Sequence, residues 1–340
     1  MARRKPQPTS QRPRPAGPPP ARSAGLPPVA VGVLVAALLV AAGAALALRP
    51  AGPGAAPTAP PAALALEPTD GCVGLPPFTR DPAVGLEGAL ALATDQQPKG
   101  LVLLSGSGGV YQHETWDDGG YLGAMALDGA GNVYVAPTPR QSLADNPLAG
   151  ATTLWRADGA TGAMAPFVTL PGAAVERNPF GVLGLAYACD LDLLYAGTVI
   201  GSTPTSELGG VTIIGGDGQI RGQALAGVDT MGVAVARRGE GYLLLAGLAR
   251  SPEIVAVPLD ASGTPAGPPE PAIDLTAAGA TPSERARKLR LVNGELVVDL
   301  VPFNYSLQTS ASGQSQVRRA GWVFDLINGE WIVSRQAAGL

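Results

Sequence analysis

The chain is short of the residues that carry most enzyme chemistry. Its 340 residues include one histidine, His113, and two cysteines, Cys72 and Cys189. A zinc site built on paired histidines is therefore excluded, and His113-Glu114 lacks the second histidine of a zinc-protease helix. A serine triad would have to use His113. No Gly-x-Ser-x-Gly elbow exists; Ser105-Gly-Ser-Gly-Gly109 comes nearest and lacks the first glycine. No Gly-Lys-Ser/Thr follows that glycine cluster, so it is not a phosphate loop and reads as a connection between strands. Aromatic residues make up 5% of the chain and charged residues 15%. No long amphipathic helical pattern appears after residue 50, which argues against bundles and alternating helix–strand folds.

Acidic residues are missing altogether before Glu67. Residues 1–28 carry nine prolines and six basic residues, Arg3, Arg4, Lys5, Arg12, Arg14 and Arg22. Such a segment buries too little apolar surface to offset its chain entropy and reads as a disordered tail. Val29 to Leu48 then run for 20 residues without a charge. As a helix they would rise about 30 Å, the thickness of a bilayer core. The basic flank lies on the N-terminal side, with only Arg49 on the other. The expected arrangement is a single-pass anchor, N-terminus cytoplasmic and the rest extracytoplasmic, at the cell membrane. A cleaved signal peptide is the alternative, with Ala45-Leu-Ala47 as its cleavage site; the apolar run is longer than such peptides use. Residues 49–66 are rich in Ala and Pro and read as a semi-extended linker. Residues 67–340 form the remaining domain. Seven of the 23 basic residues precede Glu67 and all 27 acidic ones lie from Glu67 on, which leaves this domain at a net of −11. That charge argues against nucleic acid as a partner.

Within the domain one pattern returns five times: an apolar strand, a short turn rich in Gly, Asp or Asn, and a second apolar strand. It runs from Gly85-Leu-Glu-Gly-Ala-Leu-Ala-Leu92 to Gly100-Leu-Val-Leu-Leu104, then spans Gly123–Ala136 and Gly184–Gly197. It recurs as Gly232–Ala236 with Tyr242–Gly247, and as Lys288–Asp299. Each copy reads as the inner strand pair of a unit, and a weaker, outer pair follows it, so each repeat makes a four-stranded unit. Short strands that are apolar on both faces suit packing between neighbouring blades. The expected fold is all-β: a β-propeller of five or six four-stranded blades, preceded by one transmembrane helix. A sixth blade would need residues 67–84 to pair with C-terminal material. The run Arg285 to Arg290 reads as loop charge, and Glu114, Asp117 and Asp118 beside Trp116 as a solvated loop. Both cysteines fall in the part placed outside the membrane, where an oxidising compartment permits a Cys72–Cys189 disulfide.

The stretch Ala126-Leu-Asp-Gly-Ala-Gly-Asn-Val-Tyr-Val-Ala-Pro-Thr138 resembles the NHL-type repeat closely over its length, and the other copies do so loosely. The resemblance implies a propeller and no particular activity. Three further positions are similar to the gluconolactonase-related SMP-30 propellers, which hold one divalent cation in the central channel. Glu87-Gly88 resembles that family's Glu-Gly, Asp229-Thr-Met-Gly232 its Asp-Gly-Met, and Asn178 precedes the third inner strand. The family's Asn-Gly ahead of that strand is replaced by Val182-Leu-Gly184. The resemblance implies Glu87, Asn178 and Asp229 as oxygen ligands for Ca²⁺ or another divalent cation. Two functions stand open: a binding or scaffold module of the cell envelope for an unidentified protein or small-molecule ligand, and a metal-dependent hydrolase. The missing asparagine favours binding over turnover.

Overall fold

In the computed structural model the described residues are 66–69, 72–94, 99–140, 142–307, 320–327 and 330–338. The chain divides into residues 1–58 and 59–340, and all described residues belong to the second unit. The anchor expected at 29–48 lies outside them. Among the described residues no helix is long and apolar enough to cross a membrane.

The domain is a five-bladed β-propeller, with twenty strands among the described residues. The first sheet holds β2 (Leu90–Ala93), β3 (Val102–Ser105) and β4 (Val110–Tyr111). The second runs β5 (Leu122–Leu127), β6 (Val133–Pro137), β7 (Thr153–Ala157) and β8 (Met164–Thr169). The third runs β9 (Val182–Ala188), β10 (Leu193–Thr198), β11 (Gly210–Gly215) and β12 (Ile220–Ala224). The fourth runs β13 (Thr230–Arg238), β14 (Gly241–Leu248), β15 (Glu253–Leu259) and β16 (Glu270–Asp274), with β1 (Glu67–Pro68) added to the free edge of β13. The fifth runs β17 (Glu284–Val292), β18 (Glu295–Pro302), β19 (Ala320–Ile327) and β20 (Glu330–Ala338). All pairings within the sheets are antiparallel.

The turn chemistry explains the hairpins. Asn293-Gly294 joins β17 to β18 with φ of 53° and 83°, the left-handed pair that a two-residue hairpin needs. In the β5–β6 turn Asp128 accepts from the N–H groups of Ala130 and Asn132 at 2.9 and 2.8 Å, and Tyr134 Oη donates to its other oxygen at 3.0 Å. Neighbouring sheets then bury their small apolar faces against each other. Leu103, Trp116, Val135 and Met164 fill the space between the first two blades. Tyr134, Leu154, Tyr187 and Leu194 fill the next, and Tyr195, Val235 and Leu244 the one after. Leu245, Leu289, Val298 and Phe324 lie between the last two. The approach is close: a Cβ on Gly184 would lie 1.9 Å from the Met231 carbonyl oxygen.

Three expectations change. Residues 67–84 do not build a sixth blade; β1 joins the fourth, and Pro77–Arg80 and Pro82–Val84 are short 3₁₀ turns. Arg285 to Arg290 is not a loop but part of the inner strand β17, and Arg285 is buried. The first repeat does not supply an inner strand pair. Thr94, just after β2, donates through Oγ1 to the carbonyl of Gly123 at the start of β5, at 2.6 Å. Thr198, closing β10, donates its N–H to Thr230 Oγ1 at the start of β13 in the same way. Thus β2 stands where β10 stands, second in its blade. An apolar strand–turn–strand pattern does not tell the two hairpins of a blade apart, because the third strand of a blade can be as apolar and as buried as the first two, as β11 is.

An N-terminal strap crosses the face of the propeller on which the inner strands end. Leu66 is buried between the last two blades, and Glu67 and Pro68 pair with Arg237 and Ala236. Cys72 is disulfide-bonded to Cys189 directly after β9, with Cα atoms 5.3 Å apart. The Phe78 N–H reaches the Gly159 carbonyl at 3.0 Å, and its ring stands edge-on to Trp116 at 5.6 Å. The strap therefore fastens blades four, three and two in turn.

Candidate functional site

Of the three expected cation ligands, two lie at the opposite mouth, where the inner strands begin. Asp229 immediately precedes β13 and is fully buried. Its Oδ1 accepts from the Gly209 N–H at 2.9 Å and from the Ser202 hydroxyl. Its Oδ2 accepts from the Tyr305 hydroxyl, and Arg250 Nε lies 3.5 Å away. Its own N–H donates to Glu207 Oε1 at 2.6 Å. The donors come from the third blade (Ser202, Gly209) and the fifth (Tyr305), and Asp229 itself belongs to the fourth, so one carboxylate ties three blades together.

Arg250 is fixed from both ends. Its Nη1 and Nη2 donate to the carbonyls of Pro204 and Thr203 at 3.0 and 2.7 Å. Its guanidinium lies 5.4 Å over the Tyr305 ring. Nε sits 3.4 Å from Glu207 and 3.5 Å from Asp229 but makes no aligned hydrogen bond to either. Burial, followed by the hydrogen bond to Asp229, holds the Tyr305 phenol well above the ordinary tyrosine range. Tyr305 thus stays a neutral donor at physiological pH.

Asn178 is equally buried. Its Nδ2 donates to the Val199 carbonyl at 2.7 Å and its Oδ1 accepts from the Phe180 N–H at 3.2 Å. The turn beginning at Val199 also carries Ser202, so Asn178 and Asp229 brace the same turn from its two sides. Around them Phe180, Met231, Phe303 and Tyr305 pack into an apolar cluster. Glu87 is placed elsewhere. It is exposed, on the segment before β2, and its carbonyl accepts from the Ser105 hydroxyl. As a cation site, Asn178 and Asp229 would need to exchange protein donors for the metal. Among the described residues no three His, Cys, Asp or Glu side chains gather into a metal-sized group.

Sequence reasoning missed Ser202, Glu207, Arg250 and Tyr305. They come from loops of three blades and no local motif joins them. The nearest signal was the polar Asp229 placed directly before an apolar strand. Glu114, Asp117 and Asp118 are exposed around the buried Trp116, as expected of a solvated loop. His113 is half-buried, with Nδ1 3.0 Å from Thr115 Oγ1. Ser105–Gly109 is the tight turn between β3 and β4.

No family model matches the chain, and no curated protein matches its sequence. Among solved structures it is similar to regucalcin from Agrobacterium tumefaciens strain C58, described as a calcium-binding protein. That likeness covers 78% of this chain and 77% of the other, at 17% identity and a TM-score of 0.44. Streptogramin B lyase is similar over 80% and 84% of the two chains, at 13% identity and a TM-score of 0.42. A Bacteroides thetaiotaomicron protein of unknown function is similar over 75% of this chain and 57% of that one, at 9% identity and a TM-score of 0.43. At these values the likenesses carry no argument about activity.

Proposed function

We propose that residues 67–340 are an extracytoplasmic binding module, held at the cell membrane by Val29–Leu48 and the linker 49–66, and not a hydrolase. The observation that supports this reading is the state of Asp229. The residue best matched to a propeller metal ligand has both oxygens engaged by hydrogen-bond donors from the two neighbouring blades, with Arg250 beside them as an ion pair. Such a carboxylate serves as a brace, and its exchange for a cation would leave the Tyr305, Ser202 and Gly209 donors unpaired. The Cys72–Cys189 bridge supports an oxidising compartment.

Two measurements test this. Protease added to intact spheroplasts should degrade residues 70–340, and protection of that region rejects the orientation. Ca²⁺ or Zn²⁺ should leave the melting temperature of the full chain unchanged, because a ligand stabilises only the state it binds. A divalent-dependent lactonase activity that Asp229→Ala abolishes with the fold intact would establish the hydrolase instead.

A further inference from the structure

Among the described residues the first blade has no strand at its inner edge. The other four sheets have four strands of their own, whereas the first has β2, β3 and β4 only. Since β2 holds the second position, the position that no described strand fills is the innermost one. The turn chemistry agrees: Ser105 N–H closes on the Gly109 carbonyl at 2.8 Å, as Gly215 N–H closes on Gln219 at 2.9 Å in the outer hairpin of the third blade. Among the described residues no strand pairs with the other edge of β2.

That edge has the properties of an unfilled ladder. Gly106 N–H donates to the Ala89 carbonyl at 2.8 Å, and Leu90 and Ala91 oppose Ser105 and Leu104. In an antiparallel pair the backbone groups of successive residues point to opposite edges. Those of Ala89 and Ala91 therefore turn to β3, and those of Leu90 and Leu92 turn to the open side. Thr94, next in that series, has its carbonyl capped by Arg140 Nη2 at 2.6 Å, on the open side. The burial differs as well. The equivalent strand β6 is buried along its whole length and β10 along nearly all of it, while no residue of β2 is buried.

We propose that this edge accepts an extended segment of a partner protein, which adds antiparallel to β2 as the innermost strand of the first blade. The domain already adds a strand in this manner, since β1 pairs with the free edge of β13. The chemistry of the partner segment follows from its neighbours. Within the first three residues of each of the four inner strands an apolar or long side chain is followed by a small one: Leu122-Gly123, Leu183-Gly184, Met231-Gly232 and Arg285-Ala286. The incoming strand should do the same and alternate small and apolar residues thereafter. Its N-terminal end falls beside Gly123, where Arg287 Nη2 would lie 2.8 Å from an added Cβ and where Arg140 stands over the Tyr121 ring. Both arginines have contacts within the chain. Their charge nonetheless favours an acidic residue at that end, as Asp229 precedes β13 and Glu284 opens β17. Strand addition takes its affinity from main-chain hydrogen bonds and its specificity from alternate side chains.

This deepens the binding reading and rests on it. The probe is a synthetic peptide of residues 229–238, Asp-Thr-Met-Gly-Val-Ala-Val-Ala-Arg-Arg, which carries the inner-strand pattern with a leading carboxylate. It should bind the full chain saturably and raise its melting temperature, and a scrambled peptide should do neither. N-methylation of alternate residues on one edge should weaken it about tenfold, the equivalent of one or two hydrogen bonds; methylation of the other edge should be tolerated. A photo-crosslinker at the peptide's centre should map to residues 89–93. Leu92→Pro should abolish binding, and the methylated peptides give the same test without altering the protein. Absence of saturable binding, or equal loss on methylation of either edge, would overturn strand addition. So would self-association of the chain through residues 89–93, which would make a second copy the occupant. Metal-dependent lactone hydrolysis would instead overturn the binding reading itself, so the two failures are distinguishable.

Discussion

Asp229 shows how a polar residue can be spent on holding a fold together. Its carboxylate is buried, faces Arg250, and takes donors from Ser202, Gly209 and Tyr305. Removing one member of such a buried set strands the others, which costs about 3–5 kcal/mol when a charge is left without its partner. Asp229→Ala should therefore lower unfolding stability by roughly that amount in urea titration. Tyr305→Phe removes one hydroxyl donor and keeps the ring against Phe303; it should cost about 1–3 kcal/mol. The two losses should fall well short of additive when combined, because both delete the same contact. Additive losses would show that the Tyr305 hydroxyl contributes independently of Asp229. Gly184 makes a different demand. A methyl group there meets the Met231 carbonyl at 1.9 Å, so Gly184→Ala must push the third and fourth blades apart. A stability loss of about 1–3 kcal/mol is expected from such overpacking.

At the scale of the element, the strap from Leu66 to Phe78 carries the testable claim. It has little regular structure, yet it touches three blades and is closed by one covalent bond across 117 residues. Restraint of a loop of that size in the unfolded chain is worth about 4–5 kcal/mol in the chain-entropy account, less any strain. Replacing both cysteines by serine should lower the melting temperature and expose the segment around residues 66–80 to protease before the blades unfold. Equal stability with and without reductant would remove the claim. The strands themselves were legible: the five repeats, their Asn-Gly and Asp-Gly turns and the disulfide are readable because each is a local pattern or a count of two cysteines. Two things were not. The first repeat reads as an inner strand pair because Gly85–Leu92 has inner-strand composition, and it takes the contact of Thr94 with Gly123 and the geometry of the Ser105–Gly109 turn to show that β2 is second in its blade. The run Arg285–Arg290 reads as loop because of its charge. In the fold Arg285 is satisfied by the carbonyls of Ala249, Arg250, Pro282 and Glu284, which no local rule foretells.

For the whole molecule, the distribution of tyrosines sets a limit on the alkaline side. Tyr134, Tyr187, Tyr195 and Tyr305 stand between blades or at the mouth, and each is held above the ordinary tyrosine range. Burial is the first cause in all four; a hydrogen bond to Asp128, Asp192 or Asp229 adds to it for Tyr134, Tyr187 and Tyr305. Tyr134 is pushed up to about 12 from 10.0. The sign follows from which state holds the proton more tightly. The folded chain does, so this contribution is fully present below pH 10 and is lost as pH rises through about 12. The four rings sit in or beside the packing between blades two, three, four and five, so their ionisation should open the ring as a unit. The melting temperature should change little through neutral pH and fall steeply above about pH 10. Tyrosinate absorbance should show these four residues ionising together with the loss of β-sheet circular dichroism. Tyr134→Phe should flatten part of that fall, because it removes one proton that the fold must keep. If these four tyrosines instead titrate near pH 10 with the sheet signal intact, the packing between blades is looser than the burial of these rings requires.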